Sequence, residues 1–409
     1  MRILILNHSN IISKKPGADL HIYNTAKSLS NTNEVTVLTW GSGESKEIKE
    51  GNLRIIHLGN GGKDIISSIY DKFPRSIFGT ISYLGFYYLL FPQLFKGPSP
   101  REFNKLGLGN FDLVIRVAFD NNKIPKYLKK KFKTKTIELA ILSGLPNYLD
   151  NSHVWLRKTH KFSHNSLIIF KFFYKIMKQI VLSFYISTLS SNNIIVVSEY
   201  DKNVFNHVKN LKVTYIPPIA GILYDPEKYN YDLPDDNIIL FSGSRFWITE
   251  EALQYIFYAA KKLPNLKFYV TGYVPSYLKE YNVPENVKLL GYLDNEKYIE
   301  IYNKSSIYLL PLIGGSGVQN RMIEALAYGK AIITTSVIAE EFPNLINGEH
   351  AIIEDDPDEF INKIKMVAEN ANLRKKLSTN ARTYYEKYLS KEIALKLTEN
   401  YLFQVVNEN

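Results

Sequence analysis

The sequence predicts an α/β chain of two doubly wound, parallel-sheet domains facing a cleft, and three observations carry that prediction. The 409 residues exceed what one ordinary hydrophobic core holds and suit two domains of common size. Short apolar runs rich in β-branched residues alternate with segments of helical spacing, the pattern of parallel strands covered by helices on both faces. The alternation runs once, breaks at an aperiodic stretch, and starts afresh, so two such halves form a cleft between them, with a ligand at the carboxyl ends of their strands.

The first half opens on the strand "MRILILN", the helix "ADLHIYNTAKSLS" and the strand "NEVTVLTW", a βαβ unit. Met1 to Asn7 has a single Arg and no small-residue cleavage site, which fits a strand better than a signal peptide. "FDLVIRVAF" and "NIIVVSE" repeat the strand signature, and "YDKNVFNHV" continues the second as a helix. "TYIPPIAGILYDPEKYNYDLPDD" then packs prolines, glycine and acids together and reads as a linker. The second half follows with the strand "NIILFSGS", the helix "TEEALQYIFYAAKKL", the strands "LKFYVTG" and "VKLLGYL", the helix "NEKYIEIYNK" and the strand "SIYLLPL". A glycine cluster, a short helix, two further strands and three closing helices complete it. The expected division is an N-terminal domain over 1–216 with a hydrophobic and basic insert at 76–190, a linker at 217–236, a C-terminal domain over 237–390, and a last helix at 391–409 that packs back on the N-terminal domain.

Composition narrows the chemistry. With no cysteine, disulfides and thiolate metal sites are excluded. A formal charge of +10 points to an anionic partner: nucleic acid, an acidic membrane surface or a phosphorylated substrate. The lysines are spread along the chain and no nucleic-acid-binding motif is present, so no nucleic-acid partner is expected.

Two segments stand outside the alternation. Ser76 to Phe95 carries no charge over a length that could span a bilayer. Gly79, Gly85 and Pro92 weaken a span, and a lone one between strands would pull a sheet apart, so burial or shallow insertion is expected instead. In "NSLIIFKFFYKIMKQIVLSFYISTL", Lys171, Lys175 and Lys178 form a basic stripe on an apolar helix, which fits either an interfacial helix on anionic lipid or a core helix with one solvated face. Arg157, Lys158 and Lys161 add charge just upstream. His160 and His164 lie one helical turn apart with no carboxylate near them in sequence, and read as solvated surface rather than a metal site.

The stretch "GGSGVQNRMIEALAYGKAIITT" concentrates the chemistry. Glycines at a strand end admit a close backbone approach, and a helix starting there aims free N–H groups and a positive dipole end outward, as a phosphate requires. Arg321, in the first turn, adds a charged fork for the same anion. Glu324 follows three residues on, hence on the same face, where a carboxylate can accept from the vicinal hydroxyls of a ribose. An ordinary surface Arg–Glu pair on an amphipathic helix is the competing reading.

These residues carry a family resemblance. "SGVQNRMIEALAYGKAIITT" resembles the nucleotide-binding signature of the retaining GT-B glycosyltransferases of the large family four. "ILFSGSR" resembles the first strand of that family's C-terminal domain, and "VKLLGYLD" the strand and loop beside the donor base. "KKPGADLHIYNTAKSLSNTNEVTVLT" is similar to its first loop and helix. The resemblance is good over Asn237 to Leu389, fair over Met1 to Thr39 and Asn193 to Pro218, and poor between Gly43 and Ser190. It implies two Rossmann-like domains and a nucleoside diphosphate sugar as substrate, with no cofactor and no metal. It places the catalytic groups at Arg245 and Arg321 on the diphosphate and Glu324 on the ribose. Donor contacts would come from Gly243, Leu290, Gly291 and the backbone around Gly315, Ser316, Gly317 and Val318, with Gly17 in the acceptor-side loop. Two arginines are also what a leaving diphosphate needs, since charge develops on it as the glycosidic bond breaks. The family's retention of configuration implies front-face attack assisted by the leaving phosphate.

The chain departs from the family at four places, one of them Arg321, where Lys is usual and the charge is kept. Ser316 stands where a Glu is common, Thr249 where a Lys is frequent, and a single Gly17 where a glycine pair is usual. The resulting expectation is a cytoplasmic glycosyltransferase, peripheral on the inner face of the cell membrane, extending a glycan that is lipid-linked. The alternatives are a non-catalytic nucleotide-sugar-binding protein at the membrane and a nucleotide-sugar epimerase of similar architecture. A dinucleotide-dependent oxidoreductase is disfavoured because "LNHSNIISKKPGAD" lacks the G-x-G-x-x-G fingerprint.

Overall fold

The computed structural model describes residues 1–13, 18–59, 97–117, 123–140, 147–148, 152–159, 176, 179–180, 182–183, 185–219, 238–243, 247–274, 283–315 and 318–408. Gly17, the Ser76 to Phe95 segment, His160, Lys161, His164, the Lys171–Lys175–Lys178 stripe, most of the linker, Arg245, Ser316 and Gly317 lie outside the described residues. The chain forms two compact units, one of Met1–Leu145, Tyr174–Gly221 and Lys391–Asn409, the other of Pro146–Phe173 and Ile222–Ser390.

The first unit contains β1 (Arg2–Asn7), β2 (Glu34–Gly41), β3 (Lys46–Glu50), β4 (Leu53–Gly59), β5 (Leu113–Val117) and β6 (Lys135–Ala140); β7 (Asn147–Tyr148) belongs to the second unit, and β8 (Asn193–Val196) and β9 (Lys212–Tyr215) return to the first. The strand order is β3-β4-β2-β1-β5-β6-β8-β9, parallel throughout except for the antiparallel β3–β4 edge. Side chains alternate across a strand, so β1 feeds two cores. Ile3 and Ile5 pack with Ile22 and Leu29 of the Ala18–Leu29 helix and with Tyr401, Leu402 and Val405 of the closing Lys391–Asn407 helix. Leu4 and Leu6 face the other way, against Trp40, Phe103, Ile124 and Leu128. Each buried Ile or Leu contributes about 1.5–3 kcal/mol, and covering both faces makes the strand apolar from end to end.

The second unit has the order β12-β11-β10-β13-β15-β16, all parallel. Its strands are β10 (Ile238–Gly243), β11 (Lys267–Gly272), β12 (Val287–Gly291), β13 (Ile307–Leu310), β15 (Ala331–Thr334) and β16 (Ile352–Ile353). Helices start where the sequence supplies caps. Asp294 accepts from the Lys297 N–H at 2.9 Å to start Asn295–Lys304, and Asp356 accepts from Asp358 and Glu359 ahead of Pro357 to start Pro357–Glu369. The doubly wound α/β prediction therefore holds in both units.

Pro146–Phe173 sits in the second unit, whereas the sequence alone assigns it to the N-terminal insert. The reason is one side chain. Trp155, on the Ser152–Thr159 helix, is 2% exposed; its ring packs 4.2 Å from Tyr255 and 5.4 Å from Phe360, and its indole N–H donates to the Asp355 carbonyl at 2.5 Å. Lys158 of the same helix pairs with Asp358, which takes one charge out of the basic cluster the sequence suggests. Among the described residues, no helix is long and apolar enough to cross a membrane.

Candidate functional site

In an open parallel sheet the strand order reverses at a switch point, and the crevice beyond the carboxyl ends there receives ligands. In the second unit the order reverses between β10 and β13, because β11 and β12 lie on one side and β15 and β16 on the other. Among the described residues singled out by sequence, Gly243 ends β10 and Arg321 reaches the same strand end.

β10 ends at Ser242 and Gly243. A Cβ on Gly243 would stand 2.5 Å from the Tyr273 carbonyl oxygen, so this strand end admits only glycine. Beyond β13 the chain runs through Pro311 to Ile313 into the two-residue β14 (Gly314–Gly315), which pairs antiparallel with β7. Thus a segment from far upstream in sequence holds Gly314 and Gly315 by its backbone. Val318 follows, half-buried, and the Asn320–Ala327 helix begins with no side-chain cap from Gln319, which leaves its first N–H groups to be satisfied by other means.

Arg321 and Glu324 do not pair with each other. The Arg321 guanidinium lies 5.7 Å from the centroid of the Phe241 ring, donates through Nη1 to the Ser242 carbonyl at 2.8 Å and through Nη2 to Gln319 Oε1 at 3.2 Å. It is docked on the end of β10, and among the described residues its remaining donors have no hydrogen-bond partner. Burial lowers its pKa, yet a guanidinium stays charged. Glu324 accepts at Oε2 from the Tyr298 hydroxyl at 2.7 Å and from Tyr302 at 3.3 Å. Burial raises its pKa to about 7, against the pull of the two phenols. The surface-pair reading therefore fails: each side chain is held by its own partners, half-buried.

Leu290 and Gly291 end β12, two strands from β10 along the same sheet edge, and Gly291 takes a left-handed φ of 67°. Thr249, where the family has Lys, is fully buried and sits against Gly243. The structure thus brings Arg321 to the Ser242–Gly243 end of β10, with Glu324 on the same helix and Gly315 and Val318 just ahead of it in sequence. Sequence reasoning missed Ser242, Gln319, Tyr298 and Tyr302. The tyrosines did leave a signal: they stand four apart in "NEKYIEIYNK", on one face of a helix.

The fold is similar to that of two-domain GT-B glycosyltransferases. Residues 236–370 match the family described as Glycosyl transferases group 1. An uncharacterised glycosyltransferase of Methanocaldococcus jannaschii is 29% identical over 120 residues, which is 29% of this chain and 30% of that relative's length. Among solved structures, the sucrose-phosphate synthase of Thermosynechococcus elongatus superposes over 100% of both chains, with a TM-score of 0.67 at 14% identity. TarM of S. aureus, solved with fondaparinux, α-GlcNAc-glycerol and UDP, also covers 100% of both, with a TM-score of 0.61 at 11% identity. HepE of Anabaena, solved with UDP and glucose, aligns over 98% of this chain and 99% of its own, with a TM-score of 0.57 at 13% identity.

Proposed function

We propose that the chain is a glycosyltransferase that moves a sugar from a nucleoside diphosphate to a glycan acceptor. The observation that carries this reading is the placement of Arg321 and Glu324 on one helix at the β10/β13 switch point, a cation docked on one strand end and a carboxylate held beside it. The glycine turn and the uncapped helix start suit a diphosphate, whose growing charge Arg321 would meet together with Arg245 as the glycosidic bond breaks. Cationic side chains and helix N–H groups would perform the role a metal performs elsewhere. Glu324 would accept from a ribose hydroxyl. Transfer proceeds with retention, by front-face attack assisted by the leaving phosphate.

The acceptor we propose is lipid-linked, reached at the cytoplasmic face of a membrane. The formal charge of +10 supports this, as do the two apolar segments of the sequence. The relatives crystallised with UDP and sugars support the donor class. The test is a thermal-shift screen against UDP, GDP and their sugar conjugates, repeated with Arg321→Ala. Stabilisation by one nucleotide family, lost in the variant, is the expected result; no shift with any of them refutes the donor site. Flotation with anionic vesicles tests the membrane part, and a chain that stays at the bottom of the gradient removes it.

A further inference from the structure

Glu324 is contacted asymmetrically. Both phenols that reach it bond the same oxygen, Oε2. Tyr298 and Tyr302 stand four residues apart on the Asn295–Lys304 helix, so one helix face delivers both hydroxyls. Tyr302 is fully buried and stacked, with its ring 4.4 Å from Tyr328 and 5.6 Å from Tyr308, at interplanar angles of 28° and 20°. Its hydroxyl cannot swing away without breaking that stack. Tyr298 is fixed from the other side: its hydroxyl lies 3.4 Å from Ser242 Oγ, which in turn lies 2.8 Å from Thr271 Oγ1. The carboxylate is therefore clamped by a helix that is itself tied through hydroxyls to the ends of β10 and β11.

Resting on the proposed function, we propose that Tyr298 and Tyr302 are positioning residues that occupy Oε2 of Glu324 and so present Oε1 alone to a ribose hydroxyl of the nucleotide. An oxygen that accepts two hydroxyl hydrogen bonds has used its in-plane acceptor directions, which leaves the opposite oxygen to the ligand. The phenols also decide the protonation state. The groups facing this carboxylate are Tyr298 and Tyr302 from the helix packed against it, with Tyr308 of β13 behind Tyr302, while Arg321 of its own helix is turned to the Ser242 carbonyl. Burial and Glu324 itself push Tyr298 and Tyr302 far above their ordinary range, so both stay protonated and can only donate to the carboxylate at working pH. Burial already outweighs the two phenols and holds the Glu324 pKa at about 7; without one of them it rises further, and Glu324 takes up a proton at higher pH, turning Oε1 or Oε2 from acceptor to donor.

The experiment uses Tyr298→Phe, with Tyr302→Phe as the second variant, since each keeps its ring. Calorimetric titrations with UDP and GDP, and with their deoxyribose counterparts, run from pH 6 to pH 8.5. The expected result is a loss of about three- to tenfold in ribonucleotide affinity near neutral pH, shrinking as pH rises, with a smaller effect on the deoxyribose compounds. In parallel, the Glu324 carboxyl carbon is titrated by NMR without nucleotide and should protonate at higher pH in either variant. An equal loss at every pH, an equal loss on ribose and deoxyribose, or an unmoved Glu324 titration overturns the inference. If neither nucleotide binds the unaltered chain, the proposed function fails, while the Glu324 titration still decides whether the phenols control the carboxylate.

Discussion

Arg116 and Glu138 face each other in register on β5 and β6, with Nε 2.6 Å from Oε2 and both residues 0% exposed. Such a pair, sunk in a sheet whose neighbours are aliphatic, gains little over a well-packed apolar pair, yet losing one member strands the other. Burial raises the Glu138 pKa, while Arg116 and the N–H groups of Ser190 and Ser191 hold it down. Arg116→Met or Glu138→Leu alone is expected to cost about 3–5 kcal/mol in urea unfolding, and the double variant much less than the sum. Additive losses would mean the two do not act as a pair.

His21 predicts an acid sensitivity. Its Nδ1 accepts from the Ile219 N–H at 3.0 Å, which fixes the neutral ring, and burial lowers its pKa from 6.5 to about 4. Between those two values the unfolded chain binds a proton that the folded chain refuses. The stability His21 confers is therefore complete above pH 6.5 and is lost as pH falls towards 4. Unfolding free energy should drop between pH 7.5 and pH 4.5 by about 2–3 kcal/mol more in the unaltered chain than in His21→Asn. Equal drops would show that the ring does not carry the effect.

Trp155 should anchor its helix to the second unit. Trp155→Ala removes the ring lying on Tyr255 and Phe360 and the donor to Asp355, and is expected to destabilise that unit by about 3–5 kcal/mol. Trp155→Phe, which keeps an apolar ring, should recover most of the loss. A Trp155→Ala chain that unfolds at the same denaturant concentration as the unaltered one would place the helix outside the unit's core.

The alternation of strands and helices was legible because a doubly covered sheet imposes continuous apolar runs such as "RILILN" on its strands. Arg321 and Glu324 stood out in the sequence because anion and hydroxyl recognition at a helix start would need those types at that spacing. Tyr298 and Tyr302 were read only as part of a helix, since the carboxylate they serve lies more than twenty residues on. Lys46–Glu50 escaped notice for another reason: as an edge strand it is largely charged, which blunts the edge and hides the strand pattern. The membership of Trp155 has no local sign at all, because its hydrogen-bond partner is 200 residues downstream.

The closing Lys391–Asn407 helix supplies Tyr401, Leu402 and Val405 to the core built on β1. During synthesis β1 leaves the ribosome before, and this helix after, the segments Pro146–Phe173 and Ile222–Ser390 that make the second unit. The unit that begins first is thus finished after the other: a nascent chain has one sheet face of its N-terminal half uncovered along the closing helix's footprint until that helix has emerged.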